Sequence, residues 1–314
     1  MKILVTGGNG YKGSVLVPRL LADGHEVISF DTQWFGNYLP KHANLRNIRG
    51  DIRDVEDIPL DGVNAIIHLA NIANDPAVDL NPTLSWEVNV LASQQLAERA
   101  VRNDVKHLLY ASSGSVYGLK EEPNVTEDLP LVPISVYNKT KMVAERVFLS
   151  YANDMQVHCI RPATVCGVSP RMRLDVSVNM LTYQALKNGK ITVFGGSQTR
   201  PNIHVDDIAN VYRHFLENSD LPSGCYNAGF ENISIMDIAN MVKEKVGAEV
   251  VITESNDPRS YRQDSSKLLS TGFSPSKSVS SAIDEIISAF KEGILPDGEN
   301  CYTVNTMQRL EIGS

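Results

Sequence analysis

Ile3-Leu4-Val5-Thr6-Gly7-Gly8-Asn9-Gly10-Tyr11-Lys12-Gly13-Ser14-Val15-Leu16 is the stretch on which the fold turns. Its opening apolar run reads as a buried strand. Val15, Leu16, Leu20 and Leu21 then recur at helical spacing, so the glycines lie in a strand-turn-helix context. In G-x-x-G-x-x-G the first glycine permits the tight turn, the second lets a pyrophosphate approach the backbone, and the third lets helix and strand pack closely. Negative phosphate then rests on the helix N-terminus. A second apolar run, Glu26 to Phe30, ends at Asp31, about 20 residues on, where a carboxylate can accept from both adenosine ribose hydroxyls and repels a 2′-phosphate. Gly7, Gly10, Tyr11, Lys12 and Asp31 are thus the first cofactor-site candidates, and NAD is expected over NADP.

Working outward, Ala65–Leu69, His107–Ala111 and Val157–Ile160 read as further buried strands. Helical patterns over Ala92–Val101 and Val136–Tyr151 separate them, the second with Ser135 as N-cap. Strands alternating with helices require a parallel sheet covered on both faces. The fold expected is α/β, a Rossmann-type doubly wound parallel sheet with a smaller mixed α/β substrate-binding lobe. After Arg161-Pro162 the regular winding ends. A helix over Val176–Lys187 and a strand at Ile191–Phe194 follow, then helix, strand and helix at Ile233–Val246, Val250–Thr253 and Val279–Phe290. The division expected is an NAD-binding domain over 1–165 with a return segment at about 200–228, and a substrate lobe from 166–199 and 229–314. The tail from Pro296 to Ser314 carries no local signal.

The 314 residues are 42% apolar and 21% charged, ordinary globular usage. A net charge of -8 without a long Lys/Arg run argues against nucleic-acid binding, so an anionic ligand must be met by local cations and backbone amides. The four cysteines have no metal-like spacing, and no metal site is expected. Reduced thiols in the cytoplasm, with no leader and no membrane span, are the expectation.

Tyr137 and Lys141 lie four apart on the helix, so both side chains leave one face. A phenol with an ordinary pKa of about 10 is a poor base at neutral pH. A neighbouring ammonium and a positive nicotinamide favour the phenolate and make Tyr137 a usable general base. With the glycine motif, Asp51-Ile52, His68-Leu69-Ala70, Asn89 and Ser112-Ser113-Gly114-Ser115-Val116-Tyr117-Gly118, this pair resembles the extended short-chain dehydrogenase/reductase family, especially its nucleotide-sugar epimerases and dehydratases.

The resemblance implies that Ser113 shares a hydrogen bond with the reacting hydroxyl and that Lys141 holds the nicotinamide ribose. It implies that Asp51 and Ile52 flank adenine, that Leu69 and Ala70 line the cofactor, and that Asn89 supports the loops of its site. Tyr117 fits packing beneath the site as well as substrate contact. On the substrate side, Ser115 faces the sugar, Asn179 and Arg200 match diphosphate contacts, and Arg259 either takes over a phosphate-binding arginine or is simply solvated. His204 reads as an acid-base candidate by residue type, but the resemblance implies a structural strand position. Arg171-Met172-Arg173 is either extra positive charge or a surface loop.

Dehydratases of the family carry an Asp-Glu pair after the catalytic hydroxyl residue, where this chain has Gly114-Ser115. Elimination of water therefore lacks its proton-transfer groups. Epimerisation or dehydrogenation at C4 of a nucleotide-sugar needs only what remains. A 4-keto-sugar reductase is the nearest rival, and a non-catalytic dinucleotide sensor is the alternative from another class. The resemblance also implies a homodimer built on the helices at 92–101 and 136–151.

Overall fold

The computed structural model describes residues 1–254, 260 and 262–312. Its main sheet has seven parallel strands: β1 (Lys2–Thr6), β2 (Glu26–Asp31), β3 (Leu45–Arg49), β4 (Ala65–His68), β5 (His107–Ala111), β6 (Gln156–Pro162) and a late strand at Gly224–Ala228. Between β6 and that late strand run β7 (Thr164–Cys166), β8 (Lys190–Phe194) and β9 (Thr199–His204). The late strand is β10, and β11 (Glu231–Ser234) and β12 (Glu249–Thr253) follow. The order across the main sheet is β10-β6-β5-β4-β1-β2-β3, which reverses direction between β1 and β4. A crevice outside the carboxyl ends of those two strands is where such a sheet binds its ligand.

Alternation within the buried strands feeds two cores. Leu4, Ile28, Ile66, Leu108 and Val157 pack on one face of the sheet, and Ile3, Val5, Val27, Ile67, Leu109 and Ile160 on the other. Helix α1 (Gly13–Ala22) belongs to the second face. The first face carries α2 (Asp75–Val78), α3 (Pro82–Trp86), α4 (Ala92–Arg102) and α5 (Val136–Leu149). Ser135 caps α5 by accepting from Asn138 N–H.

The remaining strands make two small sheets, β11-β9-β7 and β12-β8. Helices α6 (Ser177–Asn188), α8 (Ile235–Val246) and α10 (Val279–Lys291) share a third apolar core with β8. Between them in sequence lie α7 (Val205–Glu217), packed on the second face of the main sheet, and the short α9 (Ser266–Leu269). One expectation is corrected. The segment read as helix from Ile233 begins as β11, whose Ile233 pairs with Arg200 of β9. The helix starts only at Ile235, capped by Ser234. The tail without local signal forms a 3₁₀ turn at Glu299–Cys301 and then α11 (Thr303–Arg309), fixed by contacts distant in sequence. Among the described residues no helix is long and apolar enough to cross a membrane.

Candidate active site

A cavity of about 530 Å³ opens where the sheet reverses, lined by the glycine turn, Asp31, the 69–76 loop, Ser113, Ser115, Tyr137 and Lys141. Its floor is the turn after β1. Gly7 has φ +75°, and a Cβ there would sit 2.6 Å from Ala70 N. A Cβ at Gly13 would fall 2.4 Å from Gly7 O, so only glycine lets α1 meet the turn this closely. Asp31 accepts from Asn9 N–H at 3.0 Å and Gln33 N–H at 2.6 Å, which fixes its carboxylate at the cavity edge. Burial raises its pKa while those amides oppose the rise.

Two hydrogen-bond systems hold the loops around this floor. Thr6 Oγ1 lies 2.7 Å from His68 Nδ1, and His68 Nε2 lies 3.1 Å from Ser93 Oγ, which donates to Asn89 O at 2.8 Å. Burial pushes the His68 imidazolium down to about 3, so the ring is neutral, and the Ser93 donation assigns its proton to Nε2. Asn89 sits in a π-helical turn, Glu87–Leu91. It accepts from Ile72 N–H and donates to Ile72 O and Thr140 Oγ1. Beneath the serines, Arg161 makes a two-pronged ion pair with Glu145, both bonds 2.8 Å, and Ser112 Oγ donates to the same carboxylate.

Lys141 Nζ donates to Ala111 O at 2.6 Å, at the end of β5, and lies 5.9 Å from the Tyr137 ring centre. Ser113 Oγ sits 2.8 Å from Ser115 Oγ. Burial first, and then the Lys12 ammonium, drives the Lys141 pKa well below its ordinary value. Burial likewise lowers Lys12 to about 8 and Arg171 to about 10. Arg171 Nε is buried with no hydrogen-bond partner, and Lys12 Nζ has none among the described residues. The acids Asp51 and Asp175 on the same cavity are paired with Arg53 and Arg173. Lys12 and Arg171, buried beside the glycine turn with no carboxylate bonded to them among the described residues, are donors for phosphate, and Lys141 stands at the tyrosine end, so these residues fit a dinucleotide.

Of the residues singled out in the sequence, Gly7, Gly10, Tyr11, Lys12, Asp31, Asp51, Ile52, Leu69, Ala70, Ser113, Ser115, Tyr137, Lys141 and Arg200 line this one cavity. Asn89 and Asn179 do not. The Asn179 amide is saturated behind the wall, accepting from Gly167 N–H and donating to the Tyr11 hydroxyl and Arg173 O. Asn89 braces the 72 loop, as the resemblance implied, whereas the Asn179 amide is occupied by protein groups and not turned to the cavity. Tyr117 is fully buried, donating to Asn227 Oδ1 and accepting from Arg161, and does not line the cavity. His204 caps α7 and bonds Glu285. Arg259 lies outside the described residues. Sequence reasoning missed Asn9, Trp34, Phe35, Thr303 and Met307. Asn9, inside the glycine motif, was the one with a local signal.

A phosphate cradle and a Tyr/Lys helix face on one cavity define a dinucleotide-dependent oxidoreductase. A sequence model of the NAD dependent epimerase/dehydratase family matches residues 3–229. UDP-glucose 4-epimerase of Mycolicibacterium smegmatis is 35% identical over 226 residues, 68% of this chain and 72% of that one. UDP-glucuronic acid decarboxylase 1 of Xenopus tropicalis is 29% identical over 320 residues, 96% of this chain and 75% of that one. The solved structure of UDP-glucuronic acid 4-epimerase from Bacillus cereus, in complex with UDP-glucuronic acid and NAD, is similar with TM-score 0.81 at 28% identity. It covers 93% of this chain and 99% of that one. The chain belongs to the NAD dependent epimerase/dehydratase family, enzymes of the extended short-chain dehydrogenase/reductase type whose cofactor is NAD.

Proposed function

We propose that the chain oxidises C4 of a nucleotide-sugar and, in its net reaction, inverts that carbon. The observation that carries the reading is Tyr137 and Lys141 on one face of α5, opening with Ser113 into the cavity that the glycine turn floors. Ser113 positions the C4 hydroxyl, and Tyr137 as phenolate takes its proton. Lys141, tied to the end of β5, supplies the positive charge that favours the phenolate. NAD held in the cavity would supply the hydride acceptor for C4 and, once the 4-keto sugar has turned its other face, the donor that returns that hydride. Tyr137 gives the proton back to the C4 oxygen as the hydride returns. Gly7, Gly10, Tyr11, Lys12, Asp31, Asp51, Ile52, Leu69 and Ala70 are the proposed cofactor contacts. Ser115 takes the sugar, and Arg200 the substrate diphosphate.

Gly114-Ser115 offers no carboxylate beside Ser113, which speaks against elimination. Asp31 favours NAD and so speaks against a reductase that prefers NADPH. A homodimer is supported by Trp86 and Leu91, exposed beside Val147 in a shallow apolar depression on the flank of α4 and α5. The four free cysteines support a reducing compartment. The test is incubation with a panel of nucleotide-sugars, following cofactor absorbance and the C4 configuration of the recovered sugar by proton NMR. Inversion without accumulation of reduced cofactor supports the proposal. Reduced cofactor accumulating with a 4-keto product selects the dehydrogenase, and silence across the panel defeats both.

A further inference from the structure

We propose that the C-terminal segment from Asn300 to Met307 is part of the cofactor site, holding Arg171 over the phosphate cradle so that NAD stays bound through turnover. The inference rests on the NAD-dependent reading of the cavity and deepens it. The segment lies beyond residue 229, where the family match ends. A seven-residue helix has no stability of its own, so α11 exists only through what it packs against.

Those contacts span the cavity. On one wall, Asn300 Nδ2 donates to Phe35 O at 3.1 Å and to the Tyr38 hydroxyl. Tyr38 N–H in turn bonds the Asn9 side chain of the glycine turn. On the opposite wall, Met307 enters the apolar cluster of Ile72, Ala77, Val78 and Val88. Between the walls, Leu174 N–H donates to Cys301 O at 3.0 Å and Thr303 N–H to Asp175 Oδ2 at 2.9 Å. The segment therefore bridges the loop after β2 and the helix after β4, across the half of the cavity that contains Asp31.

Arg171 lies beneath this bridge. Its guanidinium stacks 4.0 Å from the Phe35 ring centre and donates to Thr303 Oγ1 at 3.3 Å. Its backbone N–H bonds Ser14 Oγ in the first turn of α1, so it stands at the helix end that receives phosphate. No carboxylate bonds the guanidinium among the described residues, and its buried Nε is unpartnered. A cation fixed this way on the cavity wall, with no carboxylate bonded to it among the described residues, is arranged for an oxyanion bound in the cavity. A site that does not exchange its cofactor must return to each substrate the two electrons taken from it. The net reaction is then redox-neutral, as isomerisation is, and not a net oxidation.

The experiment measures NAD content after purification, the NAD dissociation constant by calorimetry, and the release rate after dilution into a scavenging system. It compares the full chain with N300A/T303V, with Arg171→Met, and with a chain ending at Pro296. Circular dichroism and thermal melting establish folding. We expect the double variant and Arg171→Met each to raise the dissociation constant about 10- to 100-fold and to speed release correspondingly. Truncation should leave no co-purified NAD. If truncation prevents folding, the two point-substituted proteins decide the matter. Folded N300A/T303V and Arg171→Met proteins that hold NAD within twofold of the parent would overturn the role of the segment and leave the NAD reading intact. A parent chain that binds no NAD at all would overturn both.

Discussion

Raising the pH from about 7 to about 9 should weaken NAD binding through Lys12. In the free protein, burial and the neighbouring Arg173 guanidinium lower the Lys12 ammonium to about 8. A pyrophosphate seated on the glycine turn restores it toward the ordinary lysine value of about 10.4. The group's pKa is thus raised by binding, so binding takes up a proton wherever the free protein has already lost it. Affinity is full below the free-protein pKa and falls as pH rises through it. With 8 free and about 10.4 bound, the dissociation constant at pH 9 should exceed that at pH 7 by roughly tenfold, or about 1.4 kcal/mol. Calorimetry across this range provides the curve. Lys141 and Arg171 also face the cavity, so Lys12→Met is the necessary comparison: it should bind more weakly at pH 7 and lose most of the slope. A flat curve in the parent, or an equal slope in Lys12→Met, would refute the reasoning.

Asp31→Ala should weaken NAD about 10- to 100-fold by removing a charged acceptor for ribose hydroxyls, and should narrow the preference over NADP. An unchanged NAD to NADP affinity ratio, titrated side by side, would exclude that role. Glu145→Ala leaves Arg161 buried, 3% exposed, without its carboxylate, and should lose about 3–5 kcal/mol in denaturant unfolding. A loss under 1 kcal/mol would mean that water or Tyr117 replaces the partner. Lys141→Met should lower turnover and raise the NAD dissociation constant together, since the same ammonium serves base and cofactor.

The main sheet was legible because β1, β2, β4, β5 and β6 are nearly continuous apolar runs, the pattern that two-sided burial demands. β3 escaped because it is an edge strand whose Arg46 and Arg49 are exposed, leaving no run to see. β11 escaped because Ile233 continues directly into the apolar pattern of α8. At the site, the glycine turn and the Tyr137/Lys141 spacing are local signals. Asn179, expected at the diphosphate, instead answers backbone groups at Gly167 and Arg173, which sequence does not reveal. Thr303 and Met307 were invisible for the same reason, since Thr303 meets Arg171 across 132 residues of chain.

The central claim is that the Tyr137 hydroxyl moves the proton while its ring merely positions it, and Tyr137→Phe tests this most directly. Phenylalanine preserves volume and cannot ionise. With a nucleotide-sugar that the parent enzyme turns over, the substituted protein should bind NAD within about twofold of the parent and turn over about 100- to 10,000-fold more slowly. Near-normal turnover by Tyr137→Phe would contradict the account and require another base.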